Sequence, residues 1–196
     1  MNSNVFAVGR VACAVLGAAL WLSLPAWAED ESWVADARKI SSALPPKMLD
    51  VLNAQIAKEG PAFAVGMCNE KAPQMAKTAS EQSGWAIRRV SLRNRNPKAV
   101  PDAWEQAALE DFDRRAAAGE TPTTLEKFEV IDNAGTKEYR YMKALPMQQL
   151  CLACHGAAEA LAPDVAAQIH ARYPADKAVG YSVGQLRGAV TLRKAL

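Results

Sequence analysis

The sequence has almost no excess of charge of either sign, with a formal net charge of only +2. No block of basic residues stands out, which disfavours a role in binding nucleic acid. An apolar run long enough for a membrane span is also missing, because Val11–Leu24 falls short of the about 20 residues that a span requires. Internal repeats and low-complexity linkers are not visible either, so we expect a single domain.

The N-terminus has the three parts of a secretory signal peptide. Arg10 supplies a weak positive charge, the apolar stretch Val11–Leu24 follows, and Ala26-Trp27-Ala28 is a small-x-small cleavage site. We predict a signal peptide at residues 1–28, cleaved after Ala28, and export to the periplasm. Residues 29–196 then form the mature domain, with no stable membrane span.

Histidine and cysteine are scarce, with two and four residues, and three of the six fall within five positions. Cys151-Leu152-Ala153-Cys154-His155 reads C-x-x-C-H, the attachment signature of c-type haem. Two thiols three positions apart on one helical turn can both add to the vinyl groups of one porphyrin, and the adjacent imidazole can bind the iron. We therefore predict one covalent haem c on Cys151 and Cys154, with His155 as an iron ligand.

Two other uses of a C-x-x-C pair fit the sequence less well. A structural zinc site normally brings a second pair of Cys or His ligands, and Cys13, Cys68 and His170 do not supply one at a usual spacing. A thioredoxin-like redox pair follows a β-strand in a βαβ pattern. The segment before Cys151 does not have that pattern.

The first half of the mature chain has helical periodicity, interrupted by proline and glycine. The predicted helices are Ser32–Ser42, Lys47–Lys58 and Pro61 to about Ser83. Leu44-Pro45-Pro46 separates the first two helices, and Gly60 and Gly84 end the second and third.

After Gly84 the pattern becomes mainly that of short strands. The predicted strands are Trp85–Leu92, Thr123–Ile131, Lys137–Lys143 and Leu186–Leu192, and two further helices run from Pro101-Asp102 to Gly119 and from Pro163 to Arg172. Asp132-Asn133-Ala134-Gly135 predicts a hairpin turn between two of the strands. Helices followed by a small antiparallel sheet indicate the α+β class.

The second axial position of the iron has three candidates by spacing: Cys68, then Met75, then His170. Cys68 and Met75 lie on one helical stripe with small alanines, against which a flat porphyrin could pack, although ordinary helix packing gives the same stripe. An unpaired thiol such as Cys68 can also be a small buried hydrophobic residue. A surface position is the more common interpretation for His170. Arg93 and Arg95 flank an Asn-rich turn and are candidates to bind haem propionates, or are ordinary surface arginines.

Several motifs together resemble an exported c-type haem domain family that was first catalogued as a domain of unknown function. They span nearly the whole mature chain. The motifs are Val65–Pro73, Arg89–Pro97, Pro101–Glu105, Tyr139–Met142, Cys151–His155, Tyr173–Asp176, Gly180-Tyr181 and Leu186–Ala189.

The resemblance implies a PAS- or Cache-like fold, with an antiparallel sheet, haem on one face and an N-terminal helical part. It also implies that Cys68 is an axial ligand opposite His155. Relatives of this domain occur fused to histidine kinases and chemoreceptors, whereas no transmitter follows here before Leu196. We expect a periplasmic monohaem cytochrome that senses redox state or a small gas through a partner, or alternatively a small soluble electron carrier. With Cys68 on the iron and only His170 to spare, we expect no enzymatic activity.

Overall fold

The computed structural model describes residues 27–133 and 135–196, with side chains from Ser32 onward except that of Asn133. The predicted signal peptide therefore lies outside the described residues, apart from the backbone of its last two. The helices are α1 (Trp27–Glu59), α2 (Pro61–Ser83), α3 (Ala103–Ala117), α4 (Leu152–His155) and α5 (Pro163–Arg172). The strands are β1 (Ala86–Val90), β2 (Glu126–Asn133), β3 (Thr136–Pro146) and β4 (Leu186–Ala195). This arrangement confirms the α+β class.

The four strands form one antiparallel sheet in the order β1-β4-β3-β2. The predicted hairpin joins β2 to β3, with Phe128 opposite Tyr141. The C-terminal strand β4 lies between β1 and β3, so it joins the first half of the chain to the second. Within the described residues, no helix has the length and apolar character needed to cross a membrane.

Alternating residues of the strands build a core on each face of the sheet. One core packs against α1 and consists of Trp33, Val34, Ala37, Trp85, Ile87, Tyr141, Val190 and Leu192. The other packs against α3 and consists of Val90, Ala108, Leu109, Phe112, Leu125, Met142, Ala144 and Ala189. Burying each large apolar side chain contributes about 1.5–3 kcal/mol, so these two layers fix the sheet against its helices.

The prediction of a helix break at Leu44-Pro45-Pro46 is wrong, because α1 continues through both prolines. Each proline lacks an N–H group and costs a helix about 3 kcal/mol. Packing offsets this cost, since Ala37 is buried in the sheet core while Ile40 and Leu44 pack against it. The Ser41 hydroxyl also donates to the Arg38 carbonyl at 3.1 Å, within the turn before the prolines.

The predicted limits of α2 and α5 agree with the structure. Helix α2 has Pro61 as its first residue and Gly84 as its C-cap, with φ of 73° at Gly84. Helix α5 runs from Pro163 to Arg172, the range that the sequence predicts. Proline and glycine act through backbone geometry that tertiary packing rarely changes at a helix end, which is why these boundaries are readable from the sequence.

A β-bulge in β4 changes the direction of one side chain next to the C-x-x-C-H segment. Leu145 pairs with Gly188 and Pro146 pairs with Leu186, so Arg187 is an extra residue in the ladder. Gly188 has φ of 140°, and a Cβ atom there would lie 2.2 Å from the Val90 carbonyl oxygen. Only glycine therefore lets β1 approach β4 closely at the bulge.

We predict that Gly188→Ala lowers the free energy of unfolding by about 3 kcal/mol, because the new methyl group has to displace the backbone of β1. Gly119→Ala is the matched control. It also has a positive φ, of 96°, but nothing lies within 4 Å of the added Cβ atom. Backbone strain alone makes that variant about 1 kcal/mol less stable. Urea denaturation of both variants measures the difference, and equal losses would contradict the close approach.

Candidate haem site

The C-x-x-C-H segment forms one tight helical turn. A 3₁₀ turn at Gln149–Cys151 leads directly into α4 (Leu152–His155), and both thiols are half-buried. Cys154 packs against a small core around Val65 of α2, whereas Cys151 packs against another around Met147. Cys154 therefore lies beside α2 and α5, whereas Cys151 lies beside the segment that contains Ala178 and Tyr181.

The His155 imidazole is held by its Nδ1 atom, which lies 2.6 Å from the Ala178 carbonyl oxygen. A carbonyl can only accept, so Nδ1 donates its proton and the lone pair of the neutral ring resides on Nε2. Burial, followed by the positive charges of Arg187 and Arg95, lowers the pKa of His155 to about 2. The ring thus stays neutral, with Nε2 able to bind a metal ion.

Arg95 and Asp176 fix the loop that supplies this carbonyl. The Arg95 guanidinium donates to the Cys154 carbonyl at 2.6 Å, to the Ala178 carbonyl at 3.2 Å and to the Asp176 carboxylate at 3.0 Å. The other carboxylate oxygen of Asp176 accepts from the Ala178 backbone N–H at 2.9 Å. Ala178 is therefore held at both its N–H and its carbonyl, and the loop is tied directly to the C-x-x-C-H turn.

Arg93, the other residue predicted to bind a propionate, contacts the same loop through its guanidinium. Its guanidinium donates to the carbonyls of Lys177 and Val179 and lies 4.1 Å from the centre of the Tyr181 ring. Tyr181 in turn donates its backbone N–H to the His155 carbonyl at 2.9 Å. Arg93 thus stabilises the loop from 177 to 181 behind the imidazole.

Among the candidates for the second axial position, Cys68 has an electrostatic environment that includes the C-x-x-C-H segment. Burial raises the pKa of its thiol, against the opposing effect of Arg89 and Arg95, and Cys151 is among the groups that influence it. His170 is exposed on α5, on the side away from the buried Val165 and Ile169. Met75 is half-buried on α2, two turns beyond Cys68.

Two arginines that sequence analysis did not single out complete a cluster with Arg95. Arg89 keeps accessible surface, and the loss of water around its guanidinium lowers its pKa. Arg187 is buried, and burial together with the charge of Arg89 lowers its pKa to about 9. The Nε atoms of Arg95 and Arg187 are buried without a hydrogen-bond partner. The alternation of β1 gave a signal for Arg89, because Arg89 follows Ile87 on the α1 face of the sheet.

A family model, described as Tll0287-like, matches residues 29–194. The chain belongs to the Tll0287-like family. A solved structure with the same fold is the crystal structure of the cyanobacterial heme-protein Tll0287, with a TM-score of 0.58 and 24% sequence identity. The match covers 84% of this chain and 93% of the Tll0287 chain, so the two chains share the fold over most of their length. A search of curated proteins found no significant match.

We predict that Asp176→Asn lowers the free energy of unfolding by about 2 kcal/mol, because it removes the charge that is paired with the buried Arg95 guanidinium. Glu159→Gln, at an exposed position near the same turn, is the control and should change stability by less than about 0.5 kcal/mol. Thermal and urea denaturation provide the measurement. A loss in Asp176→Asn no larger than in the control would show that the pair does not hold the loop.

Proposed function

We propose that the chain is an exported monohaem c-type cytochrome, with one haem bound covalently through Cys151 and Cys154 and with His155 as an axial ligand. The observation that carries this proposal is the hydrogen bond from His155 Nδ1 to the Ala178 carbonyl, 2.6 Å long. It fixes the tautomer and the orientation of the ring, which is what a metal-binding histidine requires. The name of the related heme-protein Tll0287 supports the same cofactor.

The charges around the C-x-x-C-H turn fit a haem group. Arg89, Arg95 and Arg187 bring three guanidinium groups together, and two of them have a buried Nε without a partner. Buried cationic groups are stable only when they are paired. A porphyrin with two carboxylate groups supplies the missing negative charge, whereas a simple redox pair of thiols does not.

Cys68 is the proposed second axial ligand. It lies on α2, the helix whose Val65 packs in one core with Cys154. Burial raises the pKa of this thiol, and the positive charges of Arg89 and Arg95 oppose that rise and so act in favour of the thiolate that iron would bind. Thiolate donates charge to ferric iron more strongly than a thioether does, so this ligand pair favours the ferric state and a low reduction potential.

Bound haem supplies one-electron chemistry and an iron centre that can bind a small gas. The polypeptide holds the imidazole rigidly through Ala178, while the thiol resides on a separate helix. This asymmetry favours a redox- or gas-sensing role in which Cys68 is released on reduction. A small soluble electron carrier is the second candidate, favoured by the rigid support of His155. Neither role requires a catalytic residue.

We also propose that the sheet belongs to a PAS- or Cache-like fold and that the protein is located in the periplasm after cleavage of its signal peptide. Covalent attachment to C-x-x-C-H is a reaction of exported proteins in bacteria, which agrees with the sequence of the N-terminus. The implied partners are a redox protein or a small gas.

The first test is haem attachment in the secreted protein. We expect a pyridine haemochrome spectrum of c type, one haem per chain, and a mass increase that survives acid–acetone extraction. Cys151→Ala together with Cys154→Ala should abolish covalent attachment, because the thioether bonds need both sulfur atoms. Cys68→Ala is the matched cysteine control and should keep the haem. A colourless wild-type protein would contradict the proposed function.

The second test identifies the axial sulfur. We expect Cys68→Ala to remove the thiolate features from the ferric optical and EPR spectra, while Met75→Ala on the same helix leaves them unchanged. In the wild-type protein, a ferrous spectrum that changes on addition of carbon monoxide supports sensing. A six-coordinate ferrous form that carbon monoxide does not alter supports the electron carrier. Unchanged ferric spectra in Cys68→Ala would exclude Cys68 as a ligand.

A further inference from the structure

We propose that Arg187, Arg95 and Arg89 form the anion site that receives the two propionate groups of the haem, with Arg187 as its principal residue. This inference rests on the function proposed above and assigns a role to two residues, Arg89 and Arg187, that the sequence did not identify. Three buried arginine Nε atoms of the described residues have no hydrogen-bond partner, and the starting point is the two that lie near the C-x-x-C-H turn, on Arg95 and Arg187. The third belongs to Arg140, whose guanidinium is paired with Asp102 and Glu138.

The backbone of β4 determines the position of Arg187. It is the extra residue of the bulge in β4, and the close approach of β1 at Gly188 fixes that bulge. One terminal nitrogen donates to the Ser91 hydroxyl at 2.9 Å and to the Arg93 carbonyl at 3.2 Å. These two acceptors are neutral, so they orient the guanidinium without supplying a negative charge. Burying an arginine in this way is costly unless an anion joins it.

The charge balance of the cluster points in the same direction. Asp176 supplies a carboxylate to this cluster, and it is already paired with the Arg95 guanidinium at 3.0 Å. Asp176 also acts on the charge of Arg187, so these two guanidinium groups share one carboxylate, and Arg89 adds a third positive charge. Burial, and then the repulsion among the three arginines, lowers the pKa values of Arg89 and Arg187. Two further carboxylates would bring the cluster to neutrality, which is the number that one haem provides.

The position of the cluster favours haem propionates over a free anion. Arg95 donates to the Cys154 carbonyl, so the cluster adjoins one of the two residues to which we assign the thioether bonds. Arg187 and Arg89 both influence the electrostatic environment of His155. A porphyrin attached at this turn brings its carboxylates to the cluster as part of the same molecule, without a separate binding step.

Arg93 has a different role in this assignment. Its guanidinium donates to two carbonyls of the loop and stacks on Tyr181. Its own carbonyl accepts from Arg187. Arg93 is therefore a positioning residue, which supports both the loop behind His155 and the guanidinium of Arg187.

The test is the midpoint potential of the holoprotein, measured by spectroelectrochemistry. Removing a positive charge that faces the haem stabilises the ferric form. In Arg187→Gln we therefore expect the ferric-to-ferrous ratio at a fixed electrode potential to rise by roughly three- to tenfold. Arg187→Lys keeps the charge and should shift the ratio less. Arg193→Gln is the matched control, because it removes the same charge from an exposed position on the same strand.

Arg89→Gln provides a second variant if Arg187→Gln does not fold, since Arg89 keeps accessible surface. It should shift the potential in the same direction, with haem content unchanged at one per chain. Potentials of Arg187→Gln and Arg89→Gln equal to that of Arg193→Gln would overturn the proposal while leaving covalent haem intact. If inorganic phosphate shifts the potential of the wild-type protein but not that of Arg187→Gln, a free anion occupies the site and the proposal is wrong. A wild-type chain without haem would instead refute the proposed function itself.

Discussion

The hydrogen bond between His155 Nδ1 and the Ala178 carbonyl is the interaction on which the candidate site depends. It determines which ring nitrogen is free, and it links the helical turn of the two cysteines to a loop more than twenty residues away along the chain. That loop is held in place by Asp176 at its backbone N–H and by Arg95 at its carbonyl. Without this restraint the imidazole would have no defined direction, and the spacing of C-x-x-C-H would not by itself place a ligand.

The electrostatics of the site depend on the burial of His155 and on the arginines near it. Burial removes water from around His155, and the neighbouring arginines further oppose a second proton on the ring. The same arginines favour an anion, whether thiolate or carboxylate, in the space beside it. Together with burial, this cluster of charge keeps the imidazole neutral; it also opposes the rise that burial causes in the pKa of Cys68, and it attracts carboxylate groups. These three effects all suit a site for an iron porphyrin.

The sequence predicted those features that depend on local chemistry. Pro61 and Gly84 set the limits of α2, Pro163 began α5, and the alternating pattern indicated a small antiparallel sheet. The break predicted at Pro45 and Pro46 failed because tertiary packing of the N-terminal half of α1 outweighs the lost hydrogen bonds. Alternation along β1 placed Arg89 on one face of the sheet, but its relation to Arg187 depends on the pairing of β1 with β4 and on a bulge that only the folded register reveals.

In the proposed function, His155 and Cys68 would hold the haem from two different parts of the fold. His155 is tied to the loop from 177 to 181 and, through Arg93 and Arg187, to the end of the sheet. Cys68 lies in the first half of α2, which packs against both α1 and α5. In that function, loss of the Cys68 bond would leave the haem attached at the C-x-x-C-H turn, while packing against α1 and α5 would still hold α2. Because α2 is joined to α1 through Gly60 and packs along it, any rearrangement at Cys68 would reach these two long N-terminal helices directly.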